Sequence, residues 1–469
     1  MSNWKYAIWL EVHIKLATGS KIFCNCQNTQ EFDQAKPNQY ICPVCTAQPG
    51  AMPTINPECI KKAMILAKLF NTSINTGFTR DRKSYFYPDI PMWYQITQFY
   101  NPIIKWGKVS FYSDNFENTN TIQIHEAHLE NDTAKTVNID NKTFIDYNRA
   151  GTPLIEIVTK PWFTSDTQVV DFLKELQKNI KSNDIWYADL EKWQMRVDVN
   201  ISVSDTDKLG DRVEIKNINS FSAIRNAINY EFVRQSDLLS QWSLVDQETR
   251  RWDDATWTTK TMRSKEDAMD YRYVPESDLP KVLLDGFGIS DDMKIVTNFE
   301  IVSRYKNYWF HKEYIYGIVN NDTVSERFEY AVGEWYDPKT TAKWLLWWFA
   351  SIINDKWSDA VLFDKDRFVS FLNLIKNKWY SDNINKQIFD ELLKTWNDPD
   401  NIWSKFEIDN NLDLEQIVDD IISKNNTIVE QYKWGKDSVI WFFVWQGMKV
   451  TSWIADPNEL KSLFISKLG

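Results

Sequence analysis

Two stretches alternate apolar and polar residues over much of their length, and they dictate strands with one buried face and one chemically busy face. In Met195 to Val203, the residues Met195, Val197, Val199, Ile201 and Val203 share one side, while Arg196, Asp198, Asn200 and Ser202 share the other. In Tyr6 to Leu16, Ile8, Leu10, Val12 and Ile14 point one way, and Glu11 and His13 point the other. A period of two is the strand's period, so every second side chain meets the same environment. Val213 to Lys216 repeats the scheme, with Val213 and Ile215 inward and Glu214 and Lys216 outward. Thr121 to Ile124 reads as a further strand, leading into His125-Glu126-Ala127-His128-Leu129-Glu130-Asn131-Asp132.

Helical periodicity takes over elsewhere. Asn56-Pro57 opens a helix with Ile60, Ala63, Met64 and Ala67 on its apolar face, proline standing at the first helical position. Ser165 with Gln168 has the form of a capping box, and the helix beyond buries Val169, Phe172, Leu173, Leu176 and Ile180. Ser220 to Leu239 is helical again. A chain of 469 residues exceeds what one core serves, so more than one packed unit is expected. Residues 1–290 are strand-rich and hold nearly all the polar clusters, residues 291–405 read as a helical domain, and residues 406–469 read as a small bundle. The first boundary falls at Asp285 to Ser290, where Gly286 and Gly288 sit in a turn, and the second at Asp398 to Asp409. The tail helices are expected near 413–424, 436–449 and 456–468.

The longest apolar run, Trp344 to Ile353, is about half a bilayer crossing, and Met1 to Lys5 shows no basic segment followed by an apolar one. A cytoplasmic protein is therefore expected. The formal charge of −11 argues against coating nucleic acid through bulk charge, but leaves room for a local basic patch holding one RNA molecule.

Four of the five cysteines fall within 22 residues. Cys24-x-Cys26 and Cys42-Pro43-Val44-Cys45 form two close pairs, a spacing that lets four thiolates surround one zinc ion. Four thiolates leave no open position for water, so the site is structural, with free or redox cysteines the alternative. Cys59 lies on the apolar side of the following helix and reads as core.

Glu11 and His13 are about 7 Å apart along one strand face. A satisfied structural pair would account for them alone. The supply of like residues in His125, His128, Glu130, Asp132, Asp198, Asn200 and Glu214 points instead to a site, since three of the chain's four histidines lie in these clusters. Imidazole, carboxylate and amide oxygens together suit Mg²⁺ or Mn²⁺, and such a site can hold ATP phosphates, with Arg149, Arg196 and Lys216 offsetting charge. No Gly-rich phosphate loop, dinucleotide fingerprint or nucleophile elbow is present. Three stretches, 81–89, 146–153 and 270–276, interleave Arg and Tyr in a way that suits phosphate binding and base or ribose stacking, with ordinary loop packing as the plainer account.

Composition carries one anomaly. There are 23 Trp and only 13 Gly, where ordinary usage would give about 33 Gly. Trp379, Trp396 and Trp453 stand at helix ends and turns, where glycine chemistry is wanted. UGA codons read as glycine in the source organism, but translated here as tryptophan, would produce this pattern; a protein simply rich in Trp is the alternative. Twenty-three real indoles would place many at positive φ or in tight sites.

The chain resembles the B subunit of the aspartyl/glutamyl-tRNA amidotransferases along its whole length. The matching stretches include Trp9-Leu10-Glu11-Val12-His13, Cys42-Pro43-Val44-Cys45, Asp81-Arg82-Lys83 through Pro88-Asp89, Tyr94-Gln95-Ile96, Asp146 through Glu156, Met195 through Asn200, Glu214 through Phe221, Gln247 through Arg250, and Asp270-Tyr271-Arg272-Tyr273. Where that family has glycine, this chain has Trp9, Trp93, Trp193, Trp257 and Trp445, whereas Trp252 stands where the family carries an aromatic.

The resemblance implies an α+β fold: an antiparallel cradle domain, a helical linker domain and a small helical tail that grips tRNA, with Lys449, Lys461 and Lys467 as candidate phosphate contacts. It implies ATP- and Mg²⁺-dependent phosphorylation of the side-chain carboxylate of Glu-tRNA(Gln) or Asp-tRNA(Asn). Ammonia released by an amidase-type glutaminase subunit would then attack, and a small third subunit would fasten a heterotrimer. A carboxylate is a poor electrophile until its oxygen becomes a leaving group, and the transferring phosphoryl needs metal and cationic help. His13, Glu130 and Glu214 are carried over as metal or phosphate-end ligands. Glu11 becomes a carboxylate behind them or an ammonia-steering group, Asp198 and Asn200 line the site, and Lys216 compensates charge. One departure stands out: the family's His-Leu-Glu-Glu-Asp is His128-Leu129-Glu130-Asn131-Asp132 here, so Asn131 or Asp132 must do what a second glutamate does elsewhere. The archaeal-type counterpart, which acts only on glutamyl-tRNA, carries an inserted domain for which this chain has no room. A zinc-bearing RNA-binding module or a scaffold for the amidase would not need Glu11, His13, Asp198 and Glu214 on polar faces.

Overall fold

The computed structural model describes residues 4–29, 34–72, 76–186, 188–192, 194–264, 270–287, 295–349, 364–377, 382–395, 402, 413–451, 455 and 457–468. Gly288, the boundary expected at 398–409 apart from residue 402, and Trp193, Trp379, Trp396 and Trp453 lie outside them. The chain divides into two compact units, Met1–Ser303 and Arg304–Gly469.

The strands of the first unit, in chain order, are β1 (Lys5–Lys15), β2 (Gly77–Phe78), β3 (Asp81–Ser84), β4 (Tyr94–Thr97), β5 (Ile104–Ser113), β6 (Asn118–Asn131), β7 (Lys135–Ile139), β8 (Lys142–Asp146), β9 (Pro153–Thr159), β10 (Met195–Ser204), β11 (Val213–Ile218), β12 (Glu248–Asp253), β13 (Thr258–Ser264), β14 (Val274–Pro275) and β15 (Val282–Leu283). Eight of them form one sheet in the order β13-β12-β11-β10-β1-β9-β6-β5. Its ladders are antiparallel, apart from the parallel pair β11–β12. The expected antiparallel cradle is therefore present.

The alternation read from the sequence sorts the two faces. Ile8, Leu10, Val12, Ile14, Val199, Ile201, Val213 and Ile215 are all fully buried. They join one core with helices α1 (Pro57–Leu69), α2 (Asp166–Ser182) and α3 (Phe221–Ser240). Each such side chain contributes about 1.5–3 kcal/mol of burial, so a one-residue slip of β1 would expose four of them and bury Glu11 and His13. The helix starts are capped as their sequences require: Asn56 Oδ1 accepts from Glu58 N (2.9 Å), Ser165 Oγ from Gln168 N (3.0 Å) and Ser220 Oγ from Ala223 N (3.1 Å). The return bond of the capping box goes one residue further back, from Thr164 N to Gln168 Oε1 (3.0 Å).

Among its described residues the second unit is helical, with helices at Lys312–Val319, Asp322–Gly333, Pro338–Trp344, Lys365–Asn377 and Asp382–Lys394. The tail helices Leu414–Lys424, Ile440–Val450 and Pro457–Leu468 close around Val418, Phe443, Leu460 and Phe464. A further helix, Asn426–Lys433, fully buries no residue but packs Ile428, Val429 and Tyr432 against this core. No helix among the described residues is long and apolar enough to cross a membrane.

Candidate active site

Register decides which polar side chains meet on the open face of the sheet. His13 on β1 stands opposite Glu156 on β9, and His128 on β6 stands opposite the same Glu156. Glu156 Oε2 lies 3.2 Å from His13 Nε2 and 3.1 Å from His128 Nε2, and Glu130 Oε1 is 3.5 Å from His13 Nε2. On the other side of β1, Glu11 faces Asp198 and accepts a hydrogen bond from Asn200 Nδ2 at 3.1 Å. Lys216 Nζ closes this second group, 2.5 Å from Asp198 Oδ2 and 2.9 Å from Glu214 Oε1. Glu214 Oε2 also accepts from Thr249 Oγ1 at 2.8 Å.

Both groups open onto one cavity of about 600 Å³, whose wall is completed by Lys83, Phe99, Arg212, Tyr271 and Tyr273. That is the size of a small-molecule site. Glu130 and Asn200 stand behind the wall, each in contact with a residue that lines it. Burial opposes every charge here, and the partners decide the outcome. Burial pushes the Glu156 carboxyl up, but His13 and His128 outweigh it and hold the group well below the usual carboxylate range. Burial lowers His13, but Glu156 and then Glu130 raise it to about 9. Glu11 is raised, first by burial and then by Glu156 and Glu214. Lys216 is raised against its burial by Asp198 and Glu214.

The ligand atoms of His13, Glu130 and Glu156 lie within 4.8 Å of one another, as do those of Glu11, Asp198 and Glu214. Hard oxygens, with one imidazole, are the donor chemistry of Mg²⁺ or Mn²⁺. The Lys216 ammonium between Asp198 and Glu214 marks the second set as a place that already favours positive charge.

Three expected site residues sit elsewhere. Asp132 is buried and ion-paired with Arg196 Nη2 (3.2 Å) and Arg149 Nε (3.6 Å). Arg149 also donates to the carbonyls of Thr133 (3.0 Å) and Ala134 (2.9 Å). The two guanidiniums expected at phosphate thus converge on Asp132, and none of the three lines the cavity. Glu156, by contrast, has no part in the expectations drawn from the sequence. Its signal is nevertheless there: Ile155 and Ile157 are both fully buried, so Glu156 alternates outward like His13.

Of the three polar-aromatic stretches, two come together. β14 pairs with β3, Arg82 forms a two-pronged bond to Glu276 (2.9 and 2.7 Å), and Ser84 N donates to Tyr271 O (2.8 Å). The third, around Asn148, turns to the cysteine knuckle, where Asn148 Oδ1 accepts from Tyr40 N (2.8 Å). There the Sγ atoms of Cys24, Cys26, Cys42 and Cys45 lie within 4.8 Å of one another, close to the spacing of about 3.8 Å that tetrahedral zinc thiolates require. Lys21, fully buried, donates to Cys45 Sγ (3.7 Å) and to the carbonyls of Tyr40 (2.8 Å) and Tyr147 (3.3 Å). Cys59 is core, as its helix position implies. In the tail, Lys467 is paired with Asp419 (2.7 Å) and Glu415 (3.6 Å), while Lys449 and Lys461 lie over the rings of Trp445 and Trp441.

Residues 6–288 match the family described as the GatB/GatE catalytic domain, and residues 326–468 match the GatB domain. The chain is 34% identical over 482 residues to the aspartyl/glutamyl-tRNA(Asn/Gln) amidotransferase B subunit of Caldicellulosiruptor saccharolyticus, covering 99% of each chain. It is 33% identical to the B subunit of Fusobacterium nucleatum and 35% identical to that of Agathobacter rectalis, covering 100% of each chain in both cases. The chain therefore belongs to the family of aspartyl/glutamyl-tRNA(Asn/Gln) amidotransferase B subunits.

Proposed function

We propose that this cavity amidates the side-chain carboxylate of Glu-tRNA(Gln), Asp-tRNA(Asn) or both, at the expense of ATP. The observation that carries the reading is the pair of acidic groups flanking β1 at one cavity, His13-Glu130-Glu156 and Glu11-Asp198-Glu214. The substrate carboxylate oxygen attacks the γ-phosphorus of ATP, and the bond to the bridging oxygen breaks as ADP leaves. Ammonia then adds to the acyl carbon, the C–O bond breaks, and phosphate departs with its electron pair and takes up the proton that nitrogen loses. An Mg²⁺ ion held at each acidic group would supply charge neutralisation to the phosphates. His13, Glu130 and Glu156 would hold one ion and Glu11, Asp198 and Glu214 the other. Asn200 fixes the Glu11 carboxylate, and Lys216 and Lys83 bring positive charge to the cavity wall.

Ammonia would come from an amidase-type glutaminase subunit, with a small third subunit completing a cytoplasmic heterotrimer. The cysteine knuckle would hold a structural zinc ion, and the tail would grip tRNA. Which product is physiological follows from the synthetases of the cell. The test is glutamine- and ATP-dependent amidation of Glu-tRNA and Asp-tRNA by the reconstituted heterotrimer, with glycine at the suspect tryptophans. Absence of amide product on both tRNAs sinks the reading. Deleting residues 410–469 should weaken salt-sensitive tRNA binding; unaltered affinity removes the tail from that role.

A further inference from the structure

We propose that Phe99 and Tyr273 form a stacking shelf for an adenine ring in the wall of this cavity. Their rings are stacked, with centroids 4.1 Å apart and planes 12° apart, and both residues line the cavity. Phe99 is 52% exposed, so its ring is accessible from the cavity that it lines. The shelf is fixed in advance by groups that do not line the cavity. The buried Asp81 carboxylate accepts from the backbone N–H of Phe99 (2.7 Å) and of Tyr100 (3.0 Å). Tyr273 is held from its other side, because Val274 pairs with Arg82 on β3 and Arg82 clamps Glu276. A ring ordered before binding loses little entropy on binding.

Beside the shelf the cavity turns polar. Lys83 Nζ lies 4.7 Å from the Tyr271 ring centroid, and its charge is favoured by Glu130 and Glu156 despite its burial. A flat aromatic face, a cation and two acidic groups suited to Mg²⁺ share this one cavity, and they match the base, phosphate and metal of a nucleotide. Stacking is tolerant of base edges and strong for purines. This rests on the reading of the cavity given above, in which two adenosines approach it: that of ATP and the 3′-terminal one of tRNA.

The experiment uses the reconstituted heterotrimer and compares Phe99→Leu, Tyr273→Leu and Phe99→Tyr with the parent. The leucine variants should raise one KM roughly five- to hundredfold, and Phe99→Tyr should restore it. A rise confined to ATP assigns the shelf to the nucleotide's base; one confined to aminoacyl-tRNA assigns it to the terminal adenosine. Direct binding of AMP against ribose 5-phosphate, and of tRNA ending in CCA against tRNA ending in CC, gives a readout independent of turnover. If the leucine variants leave both KM values and both binding differences within about twofold of the parent, the shelf is refuted. A complex that binds AMP through Phe99 but amidates nothing refutes the proposed function and leaves the shelf standing.

A separate observation concerns the indoles. Trp93, Trp106, Trp242, Trp257, Trp309 and Trp335 hold φ between +55° and +65°, a left-handed conformation strained for L side chains. Three of them end helices in the same way. Trp242 N donates to Leu239 O (3.1 Å) and Ser243 N to Leu238 O (2.9 Å); Trp335 N donates to Val332 O (3.1 Å) and Tyr336 N to Ala331 O (3.1 Å). Trp309 N likewise donates to Lys306 O (2.9 Å), and Phe310 N to Tyr305 O (3.4 Å). This is the paired-bond helix stop that glycine normally occupies, and Gly435 makes it here with φ +89°. The three indoles are 96%, 92% and 85% exposed for Trp242, Trp335 and Trp309, so burial returns nothing for the strain.

We infer that these six positions are glycine in the cell, encoded by UGA. Trp252, whose Nε1 donates to Asp254 Oδ1 at 2.7 Å, and Trp344, packed against the Phe371 ring, are true tryptophans. The test is the gene's codons together with peptide mass spectrometry of the chain purified from its source. UGA and glycine at the six, with UGG at Trp252 and Trp344, is the expected result. UGG at the six, or UGA at Trp252 or Trp344, overturns it.

Discussion

Glu156 and His13 face each other across the β1–β9 ladder, with Oε2 3.2 Å from Nε2, and the same carboxylate oxygen lies 3.1 Å from His128. One carboxylate thus orders two imidazoles from opposite sides. Glu156→Gln keeps the shape and removes the charge that both histidines face. Mn²⁺ binding, followed by paramagnetic resonance or calorimetry, should weaken by at least about tenfold, with amidation falling in step. An unchanged Mn²⁺ affinity would exclude Glu156 as a ligand.

The same contact predicts a pH dependence. In the metal-free protein His13 is raised to about 9 by Glu156 and Glu130 against its own burial. A folded pKa above the unfolded value of about 6.5 means that the stability from these ion pairs is fully present below that value. It is lost as pH rises through about 9. A divalent ion needs the neutral imidazole, so binding must expel the proton, and Mn²⁺ affinity should climb by about tenfold per pH unit up to that point. Calorimetry in buffers of different ionisation heat counts the proton. Affinity flat across this range would mean that His13 is already neutral.

Much of this site is legible in the sequence because strand periodicity is local. Glu11, His13, Asp198 and Glu214 announce their common face by alternating with Val12, Val197, Val199, Val213 and Ile215, and the sheet joins them. Glu156 alternates equally well, but its meaning depends on β9 lying between β1 and β6, and strand order is not local. Arg149 and Arg196 meet a related limit. Spacing shows that a cation exists, but not that Asp132, just beyond the end of β6, neutralises it. The four-cysteine set is legible because each knuckle is closed within a few residues. The aromatic shelf is half legible, since Phe99 and Tyr273 lie 174 positions apart in the chain and non-local contacts, the β3–β14 pairing among them, bring their segments together.

The knuckle yields its own prediction. The chain should carry about one zinc ion, and Cys42→Ser or Cys45→Ser should remove it and lower Tm. Ile22 N donates to Gly151 O at 3.0 Å, and Lys21 ties Cys45 to Tyr147, so loss of metal should also loosen the 146–151 loop. Lys21→Met removes one donor from each of the Tyr40 and Tyr147 carbonyls, the latter keeping Ala150 N, and should cost about 1–3 kcal/mol in all. Metal analysis with hydrogen exchange of residues 146–151 checks both; full protection in a zinc-free protein would show that the knuckle does not brace the loop.

Replacing the indoles at helix ends should stabilise the chain. Each L residue held in the left-handed region costs roughly 1–2 kcal/mol, so Trp242→Gly, Trp309→Gly and Trp335→Gly should each raise Tm, less the small entropic cost of glycine. Thermal melts of the single and triple variants are the measurement. A lowered Tm in all three would mean that the exposed rings contribute packing after all.

The last prediction concerns the one departure from the family's acidic run. Asn131 Oδ1 accepts from Ile96 N at 2.9 Å, and its carbonyl accepts from Gln95 Nε2 at 2.8 Å, so the residue is occupied in joining β6 to β4. Glu130, one residue earlier, faces His13 instead. Asn131→Ala should therefore unpair a backbone N–H and cost about 1–3 kcal/mol of stability, with amidation per folded molecule little changed. Glu130→Gln removes one of the charges facing His13, so it should lower Tm at neutral pH, and it should reduce amidation by on the order of a hundredfold. Measuring both variants with glutamine and with free ammonia separates the roles. If Asn131→Ala loses the glutamine-driven reaction at unchanged Tm, its amide handles ammonia and the bracing role falls. Undiminished amidation in Glu130→Gln would remove Glu130 from the site.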